Sequence, residues 1–318
     1  MIDGLRKAAQ GEVLENVPLA ARTSVRVGGV ARFWVKPRTP EALVETLRIL
    51  AANGLRWVVL GGGANTIVGD GGVEGAVIRI APDFCTEEVE EAGDHVVVTL
   101  GAGAPIARFL SIAKEQRGVG VAWAAGIPGT IGGMVAMNAG TPGGCMADHL
   151  LSVEIATPDG LRQIEAAALR LAYRHCELPK GAVVTRARCK IRRGSDAEVL
   201  EQQRAAKADV ERRRATQPLT QPNSGSVFVN PQGNFAGRLI ESAGLKGFQK
   251  GNAQISEKHA NFIVNLGGAK AADVVELIAM ARKAVLAATG IELQPEVRLV
   301  GRFEPPLPPE LHHAEVRA

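Results

Sequence analysis

Aromatic side chains are scarce in this sequence: one tyrosine, eight phenylalanines and three tryptophans among 318 residues, or 4%. No long basic tract accompanies them, although the formal net charge is +4 and the pI is near 9.0. A dedicated nucleic-acid binder needs a concentrated positive patch and usually stacking aromatics, so that class is set aside. The mild positive balance suits an anionic small molecule instead. The four cysteines, at 85, 145, 176 and 189, show no C-x-x-C spacing. Neither a zinc site nor a disulfide framework is therefore indicated, and free thiols fit a reducing compartment. The six histidines are scattered, and no metal site is expected. No apolar run reaches the roughly 18 residues of a membrane span, and Met1-Ile2-Asp3-Gly4-Leu5-Arg6 lacks a signal-peptide core. A cytoplasmic chain, without membrane insertion, is expected.

What the sequence does contain is glycine in two concentrated places. Five glycines lie within residues 126–140 and seven within 126–144, beginning Gly126-Ile127-Pro128-Gly129-Thr130-Ile131-Gly132-Gly133 and running into Met137-Asn138-Ala139-Gly140. Glycine leaves no side chain to bury and loses much conformational freedom on folding. A run of this density is tolerable where the main chain takes special dihedrals or approaches a ligand closely. A second loop, Gly61-Gly62-Gly63-Ala64-Asn65-Thr66, follows the strand-like run Trp57-Val58-Val59-Leu60. Successive N–H groups in such loops form concave nests that suit a phosphate or diphosphate. Two nests point to a large phosphorylated cofactor.

The dinucleotide fingerprint G-x-G-x-x-G does not fit. Gly61-x-Gly63 is followed by Thr66 where the third glycine belongs, and Gly101-x-Gly103 by Ile106. A plain Rossmann fold is a weak reading, and ordinary tight turns would explain one loop but not both.

At 318 residues, 46% of them hydrophobic and 22% charged, the chain is a globular protein of two or three domains. Strands are expected at 32–36, 57–60, near 76–80, 95–100, 152–157 and 182–191. A helix begins at Thr39-Pro40-Glu41, with an N-cap, a first-turn proline and an acid at the positive end of the dipole. It stops at Asn53-Gly54. A second helix runs from Pro105 to Arg117. Ser195 to Arg214 reads as a charged connector helix. Beyond it come a strand at 226–229, a helix from Phe235 to Ala243, a strand at 262–265, the periodic helix Ala271–Thr289 and a strand near 297–300. The proline-rich residues 303–318 are expected to be a disordered tail.

These motifs, taken in order from about residue 22 to 301, resemble the UDP-N-acetylenolpyruvoylglucosamine reductases, the MurB flavoenzymes of peptidoglycan synthesis. The resemblance rests on Thr23-Ser24-Val25-Arg26-Val27-Gly28-Gly29, the loop GGGANTIV, GIPGTIGGMVAMNAG and Tyr173-Arg174. It continues with Gly225-Ser226-Val227-Phe228-Val229-Asn230-Pro231, AGLKG at 243–247, AQISEKHANFIVN at 253–265 and Gln294-Pro295-Glu296-Val297-Arg298.

That resemblance implies an α+β protein with a vanillyl-alcohol-oxidase-type (PCMH-type) FAD-binding domain and a C-terminal α/β substrate domain. The implied limits are an N-terminal segment 1–21, an FAD domain 22–194 in two subdomains (about 22–85 and 86–194), a connector 195–216 and a substrate domain 217–302. It implies non-covalent FAD held by Gly61, Gly62, Gly63, Ala64, Asn65, Thr66, Gly126, Ile127, Pro128, Thr130, Ile131, Gly132 and Asn138. NADPH is the implied hydride donor and a nucleotide sugar the implied substrate, with Asn230, Lys246 and His259 in its subsite. Three residues are implied for the chemistry: Arg174 and Glu296 as the pair that stabilises an enolate-like state, and Ser226 as the acid that protonates it. A monomer is expected.

Some positions depart from the pattern. Val229 stands where lysine is frequent, His175-Cys176 follows Tyr173-Arg174 where x-Ser is usual, and Ala64 replaces a common serine. Only 52 positions separate Arg174 from Ser226, too few for the tyrosine-bearing loop of longer members, so the shorter type is implied. Two other readings stay open at this point. One is a flavin oxidase of an alcohol or sugar on the same scaffold; the other is a non-catalytic flavin-binding paralogue.

Overall fold

The computed structural model describes residues 1–84 and 87–316. Cys85, and with it the expected subdomain limit at 85/86, lies outside the described residues, as do residues 317–318. Seven α-helices are present among the described residues: α1 (Ile2–Ala9), α2 (Pro40–Ala52), α3 (Ile106–Glu115), α4 (Ile131–Ala136), α5 (Asp196–Thr216), α6 (Ala236–Ser242) and α7 (Ala271–Thr289). Mixed with 18 short strands, they make an α+β fold. The start of α2 follows from its sequence: the Thr39 hydroxyl accepts from the Ala42 N–H at 3.1 Å and Pro40 occupies the first turn.

The chain forms two compact units, each assembled from separated segments. The first comprises Met1–Val13, Trp34–Gly62 and Ile78–Arg212. Its antiparallel sheet has the order Gly160–Glu165, Leu150–Thr157, Val183–Arg193, His95–Gly101, Glu88–Ala92, with Gly118–Val119 paired to the end of Val183–Arg193. The edge strand Glu88–Ala92 is exposed along its whole length. Glu90 pairs with Arg188 at 3.2 Å and Glu91 with Arg193 at 2.7 Å. Charges on an edge strand oppose pairing with another chain. Helix α5 buries no side chain, and Gln202 fastens it to this unit. That amide donates to the Gly118 carbonyl at 2.8 Å and accepts from the Val121 N–H at 2.9 Å.

The second unit comprises Leu14–Phe33, Gly63–Val77 and Arg213–Ala318. Its core gathers Val274, Leu277, Ile278, Ala281 and Val285 of α7 with Val227, Phe228, Val297 and Leu299. Strands Thr66–Val68, Arg298–Val300 and Glu315–Val316 run parallel, with Arg298 opposite Thr66 and Leu299 opposite Glu315. Asp70, just past the first of these, caps α7 from 201 positions away: its two carboxylate oxygens accept from the N–H groups of Ala271 and Ala272, both at 2.9 Å. Gly290, in the left-handed conformation (φ 71°), ends that helix.

Segments 14–33 and 63–77 pack with the C-terminal third, so the two units interleave along the chain. Phe303, Leu307, Leu311 and Ala314 join the core, and Pro309–Ala314 form a 3-10 helix. The prolines fall between these apolar positions and do not prevent their burial. Arg282, itself buried, holds the region by donating to the Leu293 carbonyl at 2.8 Å, to the Glu310 carbonyl and to Glu292 at 2.6 Å. Where a strand is expected at 226–229, the chain bends at Val227 and makes one bridge, Phe228 to Pro295. Side-chain atoms of Asn261 occupy bonding positions that a neighbouring strand would otherwise fill.

Candidate active site

In the first unit the two glycine loops meet. A Cβ built on Gly62 would lie 2.8 Å from the Gly129 Cα, and one on Gly61 would lie 3.0 Å from the Thr130 hydroxyl. Neither loop could carry larger residues there without moving apart. Gly126 (φ 72°) and Gly129 (φ 130°) take backbone conformations that favour glycine. Thr130 opens α4 with its hydroxyl toward the Gly133 N–H at 3.4 Å. The Ile131 and Gly132 N–H groups bond the carbonyls of Ala104 and Ala102 at 2.9 and 2.8 Å. The two loops thus present main chain uncovered by side chains at Gly61, Gly62, Gly126 and Gly129, which fits a cofactor lying close against the backbone, while the Ile131 and Gly132 N–H groups are taken by protein carbonyls. Ile127, Pro128 and Thr130 lie in the same second loop.

Behind that loop stands a buried pair that sequence reasoning missed. Trp123 stacks on His149 with ring centroids 5.9 Å apart, and its Nε1–H donates to His149 Nε2 at 3.1 Å. His149 Nδ1 lies 3.1 Å from the Lys190 carbonyl. His149 Nε2 also lies 3.1 Å from the Gly120 carbonyl, so both ring nitrogens are engaged by protein. Nothing in the local sequence marks this pair.

Asn138 is buried with φ 38°, and its amide is engaged by main chain at both ends. Oδ1 accepts from the Ala147 N–H at 2.9 Å and Nδ2 donates to the Ala172 carbonyl at 2.8 Å. The second contact anchors the tight turn closed by Ala172 and His175, whose N–H and carbonyl groups pair in both directions at 3.1 and 3.0 Å. Arg174 occupies the turn with φ 58°, its guanidinium 5.2 Å from the Tyr173 ring centroid. A non-glycine residue in this region costs on the order of 1–3 kcal/mol and is found disproportionately at functional sites.

The second unit holds Ser226, Glu296 and the end of the first glycine loop. Gly225 (φ 75°) turns the chain, helped by the Asn223 Oδ1 that accepts its N–H at 2.9 Å. Val227 and Phe228 are buried and anchor the half-buried Ser226 before them. The Val227 N–H donates to the Asn261 carbonyl at 2.8 Å, while the Asn261 side chain accepts from the Phe228 N–H at 3.0 Å and donates to its carbonyl at 2.8 Å. On the other side the Glu296 N–H donates to the Val227 carbonyl at 2.8 Å. Asn65 closes the arrangement, its Nδ2 donating to the Glu296 carbonyl at 3.0 Å. Gly63 (φ 70°) accepts from the Ser24 N–H at 2.9 Å, and Ala64 faces Gly225, whose added Cβ would lie 3.9 Å from the Ala64 carbonyl. Thr66 begins the parallel strand that pairs with Arg298. Asn261 is a further residue missed as an individual, although it lies inside the AQISEKHANFIVN run.

Asn230, Lys246 and His259 are arranged around α6 in the same unit. Asn230 is exposed, and its Oδ1 accepts from the Ala236 N–H at 3.0 Å. Lys246 pairs with Glu241 at 2.8 Å. His259 Nδ1 accepts from the Asn261 N–H at 3.2 Å, so the neutral ring carries its proton on Nε2. Burial pushes the pKa of His259 down, and the nearby Lys246 charge acts in the same sense.

Burial pushes the thiol of Cys189 up to about 12. Among the described residues no group of three or more His, Cys, Asp or Glu could hold a metal ion. No helix among them is long and apolar enough to cross a membrane.

Comparison with known proteins matches residues 217–300 to the family described as "UDP-N-acetylenolpyruvoylglucosamine reductase, C-terminal domain" and residues 31–164 to "FAD binding domain". The sequence is 50% identical over 299 residues to a UDP-N-acetylenolpyruvoylglucosamine reductase of Anaeromyxobacter sp. (strain Fw109-5), covering 94% of this chain and 92% of that one. It is 47% identical over 292 residues to the Myxococcus xanthus protein of the same description, covering 92% and 93%. The crystal structure of the Thermus caldophilus reductase superposes with a TM-score of 0.75 at 35% identity, covering 91% of this chain and 98% of that one.

Proposed function

The chain belongs to the UDP-N-acetylenolpyruvoylglucosamine reductase family, and we propose that Ser226, Arg174 and Glu296 carry its reaction. It is an FAD-dependent oxidoreductase with a PCMH-type FAD-binding domain. With NADPH as hydride donor it reduces UDP-N-acetylglucosamine enolpyruvate to UDP-N-acetylmuramate, a step of peptidoglycan precursor synthesis.

When bound, FAD supplies the relay of hydride from NADPH to the methylene carbon of the enolpyruvyl ether. Gly61, Gly62, Gly63, Ala64, Asn65 and Thr66 would hold it together with Gly126, Ile127, Pro128, Thr130, Ile131, Gly132 and Asn138. Negative charge then develops on the neighbouring substrate carbon and its carboxylate. Arg174 offers a planar fork that grips a carboxylate by two parallel hydrogen bonds, and Glu296 completes the pair that stabilises the enolate-like state. Preorganised polar groups act most strongly where charge develops. Ser226 gives its hydroxyl proton to the basic carbon. A serine is a weak acid in water, so it serves only at short range against a strong base. Asn230, Lys246 and His259 would bind the nucleotide sugar, Lys246 at the diphosphate.

The observation that carries this reading is the Glu296 N–H to Val227 carbonyl bond, which holds the carboxylate-bearing residue against the segment carrying Ser226. We assign the chain to the shorter type of the family, acting as a cytoplasmic monomer in cell-wall biogenesis and hence in cell shape and division. NADPH oxidation measured with and without the enolpyruvyl nucleotide tests the reaction. Oxidation that requires the nucleotide, with one nucleotide reduced per NADPH, is expected; oxidation by oxygen alone at the same rate would reject it.

A further inference from the structure

Asn65 reaches residues 296–298 in two ways. Its side-chain Nδ2 donates to the Glu296 carbonyl at 3.0 Å, and its own carbonyl accepts from the Arg298 N–H at 3.0 Å. From there the two chains continue as a parallel ladder, Thr66 opposite Arg298, Ile67 opposite Leu299 and Val68 opposite Val300. At the head of that ladder a side-chain amide acts where a main-chain N–H would otherwise donate. The other polar group of Glu296 is fixed separately, its N–H donating to the Val227 carbonyl at 2.8 Å. One edge of Glu296 is therefore held by the segment that carries Ser226 and the other by Asn65.

We propose that Asn65 is a positioning residue for Glu296, setting the direction of its carboxylate through the carbonyl it holds. Pro295, with its fixed φ, stiffens the approach from the preceding residue. The Asn65 bond restrains the peptide that follows Glu296. The N–H of the same peptide, on Val297, lies 3.4 Å from the Val227 carbonyl, a longer contact about which the peptide tilts once the Asn65 bond is lost, moving the Cα–Cβ bond and the carboxylate with it. A displacement of about 1 Å at a reacting group costs on the order of 100-fold in rate. The inference rests on the assignment of Glu296 to the reaction, and it gives the first glycine loop a second role beside cofactor binding.

The test uses full-length protein carrying Asn65→Ala or Asn65→Asp, each alone and combined with Glu296→Gln. Stopped-flow absorbance follows reoxidation of the NADPH-reduced flavin by UDP-N-acetylglucosamine enolpyruvate, expressed per bound flavin. Asn65→Ala is expected to slow reoxidation roughly 10-fold to 100-fold in the native background, and by more than it slows reduction by NADPH. In the Glu296→Gln background it is expected to add nothing, because its effect passes through that carboxylate. Asn65→Asp keeps the size of the side chain but loses the donor, so it is expected to behave as alanine does. Equal slowing with and without the glutamate would overturn the proposal. Loss of flavin from both variants would also overturn it, by assigning the residue to the cofactor alone. Failure of the nucleotide to reoxidise the unaltered protein would instead reject the functional reading itself, and this inference with it.

Discussion

The Glu296 N–H donates to the carbonyl of Val227 at 2.8 Å, one residue beyond Ser226. The proposed proton donor and carboxylate are thus linked directly through main chain, one peptide from each residue. Asn261 grips the opposite edge of the same segment through Val227 and Phe228.

Purified protein is expected to be yellow and to release intact FAD on denaturation. Gly61–Thr66 contains no histidine or cysteine that could bond the ring, and Cys145, half-buried just past the second loop, is the one thiol adjoining it in sequence. Denaturation in acid followed by filtration checks this. Flavin retained with the chain would contradict it.

Lys246→Ala is expected to raise KM for the nucleotide and leave reduction of the flavin by NADPH almost unchanged. The ammonium would contact an anionic part of the substrate far from the reacting carbon, in ground and transition states alike, and such uniform binding appears in KM. Its pairing with Glu241 is solvent-exposed enough that losing it costs at most about 1 kcal/mol of stability. Steady-state kinetics alongside the reductive half-reaction separates the two effects.

Acid should loosen the Ser226 segment through His259. Burial lowers the pKa of this ring in the folded protein, so the unfolded chain binds the proton more readily. The stabilisation is complete above the unfolded value of about 6.5 and is lost as pH falls through the lower folded value. A proton on Nδ1 would also remove the acceptor of the Asn261 N–H. His259→Gln is expected to flatten the dependence of Tm on pH between about 7.5 and 5; an unchanged slope would contradict this role.

Asp70→Ala removes the carboxylate that accepts from two N–H groups at the start of α7. A lost N-terminal cap costs roughly 0.5–2 kcal/mol, and this one serves two donors, so the upper half of that range is expected. Urea unfolding should show a lower midpoint with an unchanged slope. A change below about 0.5 kcal/mol would contradict the capping role.

Much of the helical framework was legible because its signals are local. Thr39 and Pro40 at the start of α2 and Gly290 after α7 mark helix ends by their own chemistry. The glycine loops were legible for the same reason, since left-handed dihedrals and close approach leave few alternatives at Gly126, Gly129 and Gly62. The interleaving of the two units was not legible. It depends on short pieces such as Thr66–Val68, whose three residues carry no usable periodicity. Asn65 and Asn261 escaped as clamps because an asparagine in a loop looks the same whether it faces water or a distant peptide. At the C-terminus the apolar spacing at 303, 307, 311 and 314 is hidden among prolines in the sequence.

Stopped-flow absorbance on Ser226→Ala separates the two half-reactions in one sample. The variant is expected to bind FAD normally and to be reduced by NADPH at nearly the native rate, since the serine delivers its proton only after hydride has reached the substrate. Reoxidation by the enolpyruvyl nucleotide is expected to slow by roughly 100-fold to 10,000-fold, the range for losing a positioned proton donor. Ser226→Cys, with a thiol proton to give, should recover part of that loss. Equal slowing of both half-reactions, or native reoxidation in the alanine variant, would show that Ser226 is not the proton donor.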